Sequence, residues 1–310
     1  MSQLFQEAII ISILASTIRI MTPLLFSAMG ELITQRAGIW NMGVEGTMLT
    51  GAFTAYLVAT ATDSLWLAVL AAVVAGALMG LIIAFMTATL RVDHFIAGLG
   101  LNLLAGGLTL YWFQSYIQGR AQPIFSGFQD VAIPLLSDIP FIGPVLFSQR
   151  ALTYVALLVV PVVWFLLYRS RYGLELRCLG ENPKALDVKG LSVSARQYAA
   201  VMLGSAMTGL GGGFLMLGFS DRFLADFTAG RGWIVIVALI AGNWRPKGVL
   251  IAVTAFAFLE SLATHLQVVG AQVPHQLLLA LPYLTSIGLL MGLRFRSGQP
   301  TRLGIPYARE

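Results

Sequence analysis

Nine stretches of the chain, residues 7–29, 42–61, 64–90, 95–118, 151–168, 197–219, 232–243, 248–264 and 276–293, are apolar and carry almost no charge. Most reach the ~20 residues that a helix needs to cross a ~30 Å hydrocarbon core. In lipid every backbone polar group must be satisfied internally, so runs of this length are read as helices. Outer-membrane strands would instead alternate over ~10-residue segments. Composition agrees, with 57% hydrophobic and 11% charged residues and a mean hydropathy of +0.82. A soluble domain carries roughly 25% charged residues. The expected fold is an all-α membrane protein, a polytopic bundle of about 8–10 transmembrane helices in one domain over residues 1–310. Span 232–243 is short, and is read as starting earlier or as half of a broken helix.

The formal charge of +5 does not mark a nucleic-acid surface, because the basic residues sit at the ends of apolar runs. Arg36, Arg91, Arg169, Arg171, Arg177, Lys184, Lys189, Arg196, Arg245, Lys247, Arg294, Arg296, Arg302 and Arg309 fall on one side. Arg120, Arg150, Arg222 and Arg231 fall on the other. The positive-inside rule then places the 169–196 loop and the C-terminal tail in the cytoplasm and the 119–150 loop outside. Nine spans put the N-terminus outside, and a re-entrant segment near 30–45 would reverse it. With no basic n-region ahead of Glu7, the first helix is read as retained rather than cleaved. Pro123, Pro134, Pro140 and Pro144 make 119–150 too proline-rich for one helix, so a capping loop is expected.

Two stretches stand out from this apolar background. In the first, Gly38, Gly43, Gly46 and Gly51 punctuate a segment that also holds Asn41 and Glu45. A carboxylate at membrane depth is costly unless it faces protein or water. Transporters use broken helices to aim backbone groups at substrate, so a broken or re-entrant segment is expected near 35–48. The alternative is that the glycines permit close packing while Glu45 pairs with a buried arginine such as Arg19. In the second, Asn182 before Pro183 reads as an N-cap and first-turn proline, opening a short helix over 183–188 that Gly190 ends. Such a helix, held in a cytoplasmic loop, is something a soluble partner can grip; the alternative is a plain solvated connection.

Other polar groups inside the spans are Arg19, Asn102, Ser205, Thr208 and Glu260. Hydroxyls and amides suit sugar hydroxyls or base edges, yet each singly also suits helix–helix hydrogen bonding. Glu260 lies close enough to the outer end to snorkel. The run Gly209, Gly211, Gly212 and Gly213 allows close backbone approach. Gly43–Phe53 and Gly204–Phe214 share a Gly/Met/Thr-rich character, a hint of internal repetition.

No phosphate-loop motif, His-Glu-x-x-His or nucleophile elbow occurs. The histidines His94, His265 and His275 are scattered, and His94 beside Asp93 reads as a boundary residue. The single cysteine, Cys178, cannot form an intrachain disulfide. No catalytic residue, metal or cofactor is expected.

The segment Thr34-Gln-Arg-Ala-Gly-Ile-Trp-Asn-Met-Gly-Val-Glu-Gly-Thr-Met-Leu49 resembles the signature of ABC importer permeases of the branched-chain amino acid/ribose class. It is closest to the subgroup partnered by nucleoside-binding lipoproteins of the basic membrane protein type. Leu179-Gly-Glu-Asn-Pro-Lys-Ala-Leu-Asp-Val-Lys-Gly-Leu191 resembles that family's coupling-helix loop. Thr228-Ala-Gly-Arg-Gly-Trp-Ile-Val-Ile-Val-Ala-Leu-Ile-Ala-Gly-Asn243, followed by Pro246 and Gly248, resembles its second-half signature. Gln35 stands where the subgroup often has Glu. The resemblance implies a multi-pass permease of the bacterial inner membrane that translocates a nucleoside or simple sugar by alternating access. It implies a cytoplasmic ABC ATPase, a second permease (or a second copy) and an extracytoplasmic substrate-binding lipoprotein as partners. Expected pathway residues are Asn41, Glu45, Asn102 and Thr208. Expected ATPase-coupling residues are Gly180, Glu181, Asn182, Pro183, Lys184, Ala185 and Gly190. The competing reading is an ion-coupled secondary transporter using Glu45 or Glu260.

Overall fold

A computed structural model describes residues 2–119, 122–268, 284, 285, 287, 288 and 298–308. The first helix, α1 (Ser2–Arg36), is 35 residues long and contains Pro23. At 1.5 Å per residue it exceeds the hydrocarbon thickness. Pro23 removes a backbone donor, and nearby hydroxyls bond the carbonyls of this stretch. Thr22 Oγ1 donates to the Ile18 carbonyl and Ser27 Oγ to that of Pro23.

The helix stops at Arg36, and residues 37–43 are non-helical and almost wholly buried. Gly38, at φ +84°, makes the turn. Helix α2 (Val44–Thr62) then runs outward, and α3 (Leu65–Ala84) returns and ends in a π-helical turn over Phe85–Thr89. Asp93 Oδ1 accepts the Phe95 and Ile96 amides and so starts α4 (His94–Trp112), which ends in a second π-helical turn, Phe113–Ile117. Helix α5 (Ala151–Arg169) leads into α6 (Arg171–Glu181) and α7 (Pro183–Val188). Long α8 (Val193–Phe219), short α9 (Arg231–Ala241) and α10 (Pro246–Val268) follow. Among the described residues six helices are long and apolar enough to cross a membrane, and α2 and α9 add two further apolar segments. Span 276–293 lies largely outside the described residues.

The break expected near 35–48 is present, with the start of the 19-residue α2 meeting the short α9 inside the bundle. The 119–150 loop contains a feature the sequence reading lacked, a two-stranded antiparallel ribbon, β1 (Asp130–Ala132) and β2 (Ser148–Arg150). Three-residue strands are too short for alternation to reveal them.

Helix α8 is the central post. In lipid no hydrophobic force draws helices together, so association depends on close van der Waals contact, which small residues allow. A side chain at Gly212 would meet the Met48 carbonyl of α2, and one at Gly76 of α3 would meet the Ser205 carbonyl of α8. The 209–213 glycines therefore serve packing. Gly51 lies against Gly209, so the two similar segments noted in the sequence, 43–53 and 204–214, pack on each other. Outward-facing Trp66, Leu70, Leu78 and Leu103 on α3 and α4, the last 78% exposed, form an apolar outer surface matched to lipid.

Helix α1 fixes the two ends of the bundle. Arg19, midway along it, pairs with Asp130 of the ribbon at 2.8 Å, while its C-terminal turn abuts α6 at Gly180. Its N-terminal half therefore lies toward the 119–150 side, and its C-terminus toward the 169–196 loop.

Candidate functional site

The site grows from the interruption between α1 and α2. One turn before α1 ends, Glu31 is fully buried and accepts hydrogen bonds from Gln35 Nε2 at 3.0 Å and Asn41 Nδ2 at 3.2 Å. Asn41 Oδ1 in turn accepts the Gly43 amide at 2.9 Å. Gln35 Oε1 accepts the indole N–H of Trp244, beyond the end of α9, at 2.6 Å. The Arg36 guanidinium donates twice to the Trp244 carbonyl, at 3.1 and 2.6 Å. A chain of side chains thus ties the end of α1, the 37–43 connector and the end of α9 together in the bundle interior. Buried polar groups are tolerable only when satisfied in this way.

A second junction lies one turn further along. Glu45, in the first turn of α2, accepts from Thr228 Oγ1 at 2.5 Å, the Gly230 amide at 2.9 Å and the Gly232 amide at 2.6 Å. The last two are donors at the N-terminus of α9, where the helix dipole favours a carboxylate. Glu45 therefore joins the first turn of α2 to the first turn of the short α9. The pairing of Glu45 with Arg19 considered from sequence does not form, since Arg19 is engaged by Asp130 and Gln149. Gly232 has no room for a side chain, since a Cβ would lie 2.6 Å from Glu45 Cα.

Asn102 of α4 supports the same region, donating to the Met42 carbonyl and accepting the Gly46 amide, both at 2.8 Å. Thr208 is buried in α8 and donates to its own helix at Gly204. Asn41, Glu45 and Asn102 are thus brought to one junction, and Thr208 stands apart on α8. His94 is only 2% exposed, and its Nδ1 accepts the Trp40 amide of the connector. At the first residue of α4 it therefore supports the connector from beneath.

At the basic end of the bundle, α6 and α7 form a bent handle. Asn182 sits between them with its backbone carbonyl accepting the Ala185 amide, and its side chain makes no capping bond. Gly190, at φ +74°, ends the turn. Residues 298–308 strap this handle to the bundle. The Arg302 amide donates to the Gly180 carbonyl, Thr301 Oγ1 to Glu181 at 2.5 Å, and Tyr307 Oη to Asp187 at 3.0 Å. The Gly304 amide reaches the Gly38 carbonyl, so handle, strap and connector meet at one joint. Burial raises the pKa of Tyr172 in α6, opposed by the nearby Arg196 charge. Of the residues expected from sequence to couple to an ATPase, Pro183 is buried; Val188, outside that set at the end of α7, stands 88% exposed.

At the opposite end Arg150 lies over the Phe219 ring at 5.3 Å and donates to the Phe128 carbonyl at 3.1 Å. Burial pulls its pKa below the usual guanidinium range, partly offset by the Asp130 carboxylate. Aromatic rings of Phe53, Tyr56 and Phe227 gather around Phe223 beside it.

Sequence reasoning missed Glu31, because the first span was ended at residue 29. Its spacing of four from Gln35 was the available signal, since i and i+4 share a helix face.

Interrupted helices joined through inward-turned carboxylates, Glu31 buried and Glu45 half-buried, with a bent handle at the basic end, define a helical membrane permease. The chain belongs to the family described as branched-chain amino acid transport system / permease component, whose model matches residues 13–290. It is 34% identical over 311 residues to the nucleoside ABC transporter permease protein NupC of Lactococcus lactis, covering 96% of this chain and 97% of that one. It is 34% identical over 316 residues to the guanosine ABC transporter permease protein NupQ of Bacillus subtilis, covering 96% of each. A glucose ABC transporter permease protein of Haloferax volcanii, TsgB13, is 30% identical over 76% of this chain and 65% of its own. Among solved structures, an inward-facing ABC transporter described as of the metal-chelate type superposes with a TM-score of 0.51 at 16% identity, covering 88% of this chain and 86% of that one. That likeness concerns the fold alone.

Proposed function

We propose that residues 1–310 form one permease domain of an ATP-driven importer, with nucleosides as the transported class and simple sugars as the second candidate. The carrying observation is the joint at Gly180, where the α6–α7 handle, the 298–308 strap and the α1–α2 connector meet through backbone contacts. A displacement of the handle there has no flexible side chain to absorb it. It passes into the connector, and through Glu45 into α9. Alternating access requires such an element with two packings. A cytoplasmic ABC ATPase would seat on the handle along Glu181–Ala185, with the exposed Val188 as its apolar contact. A second permease, or a second copy, would complete the pore, and an extracytoplasmic lipoprotein would deliver substrate at the ribbon end. Asn41, Glu45, Asn102 and Thr208 act on the pathway by framing it, since their polar atoms bond within the protein. Support for the substrate class comes from the relatives named for nucleosides and guanosine.

The test is guanosine uptake by proteoliposomes holding this chain with its ATPase, companion permease and binding lipoprotein. Uptake that requires both ATP and the ATPase is expected. Uptake by vesicles holding this chain alone, without nucleotide and driven by a proton or sodium gradient, would replace this reading with the secondary-transporter one.

A further inference from the structure

A cavity of about 550 Å³ opens at the ribbon end of the bundle, between the N-terminal half of α1, the end of α8, the start of α9 and the outer half of α10. It lies in the volume range of small-molecule sites. None of the four pathway residues expected from sequence lines it. Its polar wall is the pair Arg231–Glu260, joined at 2.5 Å, with Arg19 and Arg150 opposite. Phe227 and Leu215 supply apolar surface. Arg231 lies in the first turn of α9, one residue from the Gly232 amide that Glu45 holds, so the cavity wall and the half-helix junction are the same turn.

Three guanidiniums face two carboxylates in and beside this cavity, so one positive charge is left over, on the side of Arg150, whose buried Nη1 has no hydrogen-bond partner among the described residues. Arg19 contacts Asp130 at 2.8 Å, Arg150 lies 3.9 Å from the same carboxylate, and Arg231 has Glu260. At the Arg231 end a carboxylate or phosphate would meet Glu260, which already occupies that guanidinium. A hydroxyl has no such conflict, because it can donate to Glu260 and accept from Arg231 at once. An apolar wall beside a paired acid and guanidinium suits a sugar ring carrying neighbouring hydroxyls.

On the nucleoside-or-sugar reading above, we propose that this cavity receives the sugar ring of the transported ligand and that Arg231 and Glu260 read its hydroxyls. A site built to bond a hydroxyl rejects the analogue lacking it, because its own polar groups are then left unpaired. The experiment measures uptake by the complete transporter of guanosine against 2′,3′-dideoxyguanosine, and of glucose against 2-deoxyglucose. Wild-type, Glu260→Gln and Thr264→Trp transporters are compared, each checked for co-purification with the ATPase. The wild type should favour the hydroxylated member of whichever pair it carries by tenfold or more in kcat/KM. Glu260→Gln should bring that ratio within about threefold of one, a change that a merely structural role would not produce. Thr264→Trp, which fills the cavity, should raise KM by tenfold or more. Wild-type uptake with an unchanged ratio in Glu260→Gln and unchanged KM in Thr264→Trp would overturn the cavity assignment and leave the importer reading intact. A wild-type transporter that carries neither guanosine nor glucose would overturn the substrate reading, and this inference with it.

Discussion

The Glu45 carboxylate accepts the backbone amide of Gly232 at 2.6 Å, across 187 positions of sequence. One side chain at the start of α2 thereby caps another helix, α9. The same carboxylate also takes the Thr228 hydroxyl and the Gly230 amide. Glu45→Ala is expected to leave three donors without an acceptor and to lower stability by about 2–4 kcal/mol. Glu45→Gln, which keeps one acceptor oxygen, should cost less. Thermal denaturation of the purified protein in detergent reads the order, and a Glu45→Ala protein as stable as wild type would remove Glu45 from this role.

Glu31 makes a sharper prediction because its carboxylate accepts from two amide side chains, Gln35 and Asn41. Glu31→Gln turns an N–H₂ toward one of those donors, and Glu31→Ala orphans both. Each buried donor left unpaired costs about 1–3 kcal/mol. The expected ranking is wild type above Glu31→Gln above Glu31→Ala. Denaturation midpoints of the three proteins decide it, and a Glu31→Ala protein as stable as wild type would remove Glu31 from this role.

Gly180 tests transmission. A side chain there would lie 2.5 Å from the Arg36 carbonyl, so the handle must shift away from the connector. Gly180→Val should retain ATPase co-purification while guanosine uptake falls tenfold or more. Loss of both together would mean that Gly180 serves docking only.

The ion pair of Arg19 and Asp130 gives a contrasting, small effect. Its side chains are 33% and 44% exposed, and such pairs contribute about 0.2–1 kcal/mol. Arg19→Ala should therefore shift the denaturation midpoint far less than Glu45→Ala. The exchanged pair Arg19→Asp with Asp130→Arg should return close to wild type.

The spans were legible because their signal is composition, which needs no knowledge of neighbours. The cap-proline-glycine order at 182–190 was legible as well, and α7 forms over 183–188 as that order predicts. The glycines of 38–51 announced an interruption, and Gly38 makes its turn. Partners were not legible. Nothing local says that Glu45 meets Gly232 rather than Arg19, or that Trp244 reaches back 209 positions to Gln35. Those contacts depend on how helices converge, and linear spacing carries no record of it. Asn182 is instructive in the other direction, since residue type predicted a side-chain cap that the structure does not form. Pro183 opens the helix without it, since its missing N–H is one fewer donor to satisfy.

The strap over the handle has a bearing on biogenesis. Residues 301 and 307 bond to Glu181 and Asp187, partners synthesised 120 positions earlier. At the ~5–20 residues per second of translation, the handle therefore waits seconds on the ribosome before its bracing exists. A nascent chain halted ahead of residue 298 would present α6 and α7 without those bonds, so a motor subunit that requires the braced shape would recruit only translation products that have passed that point.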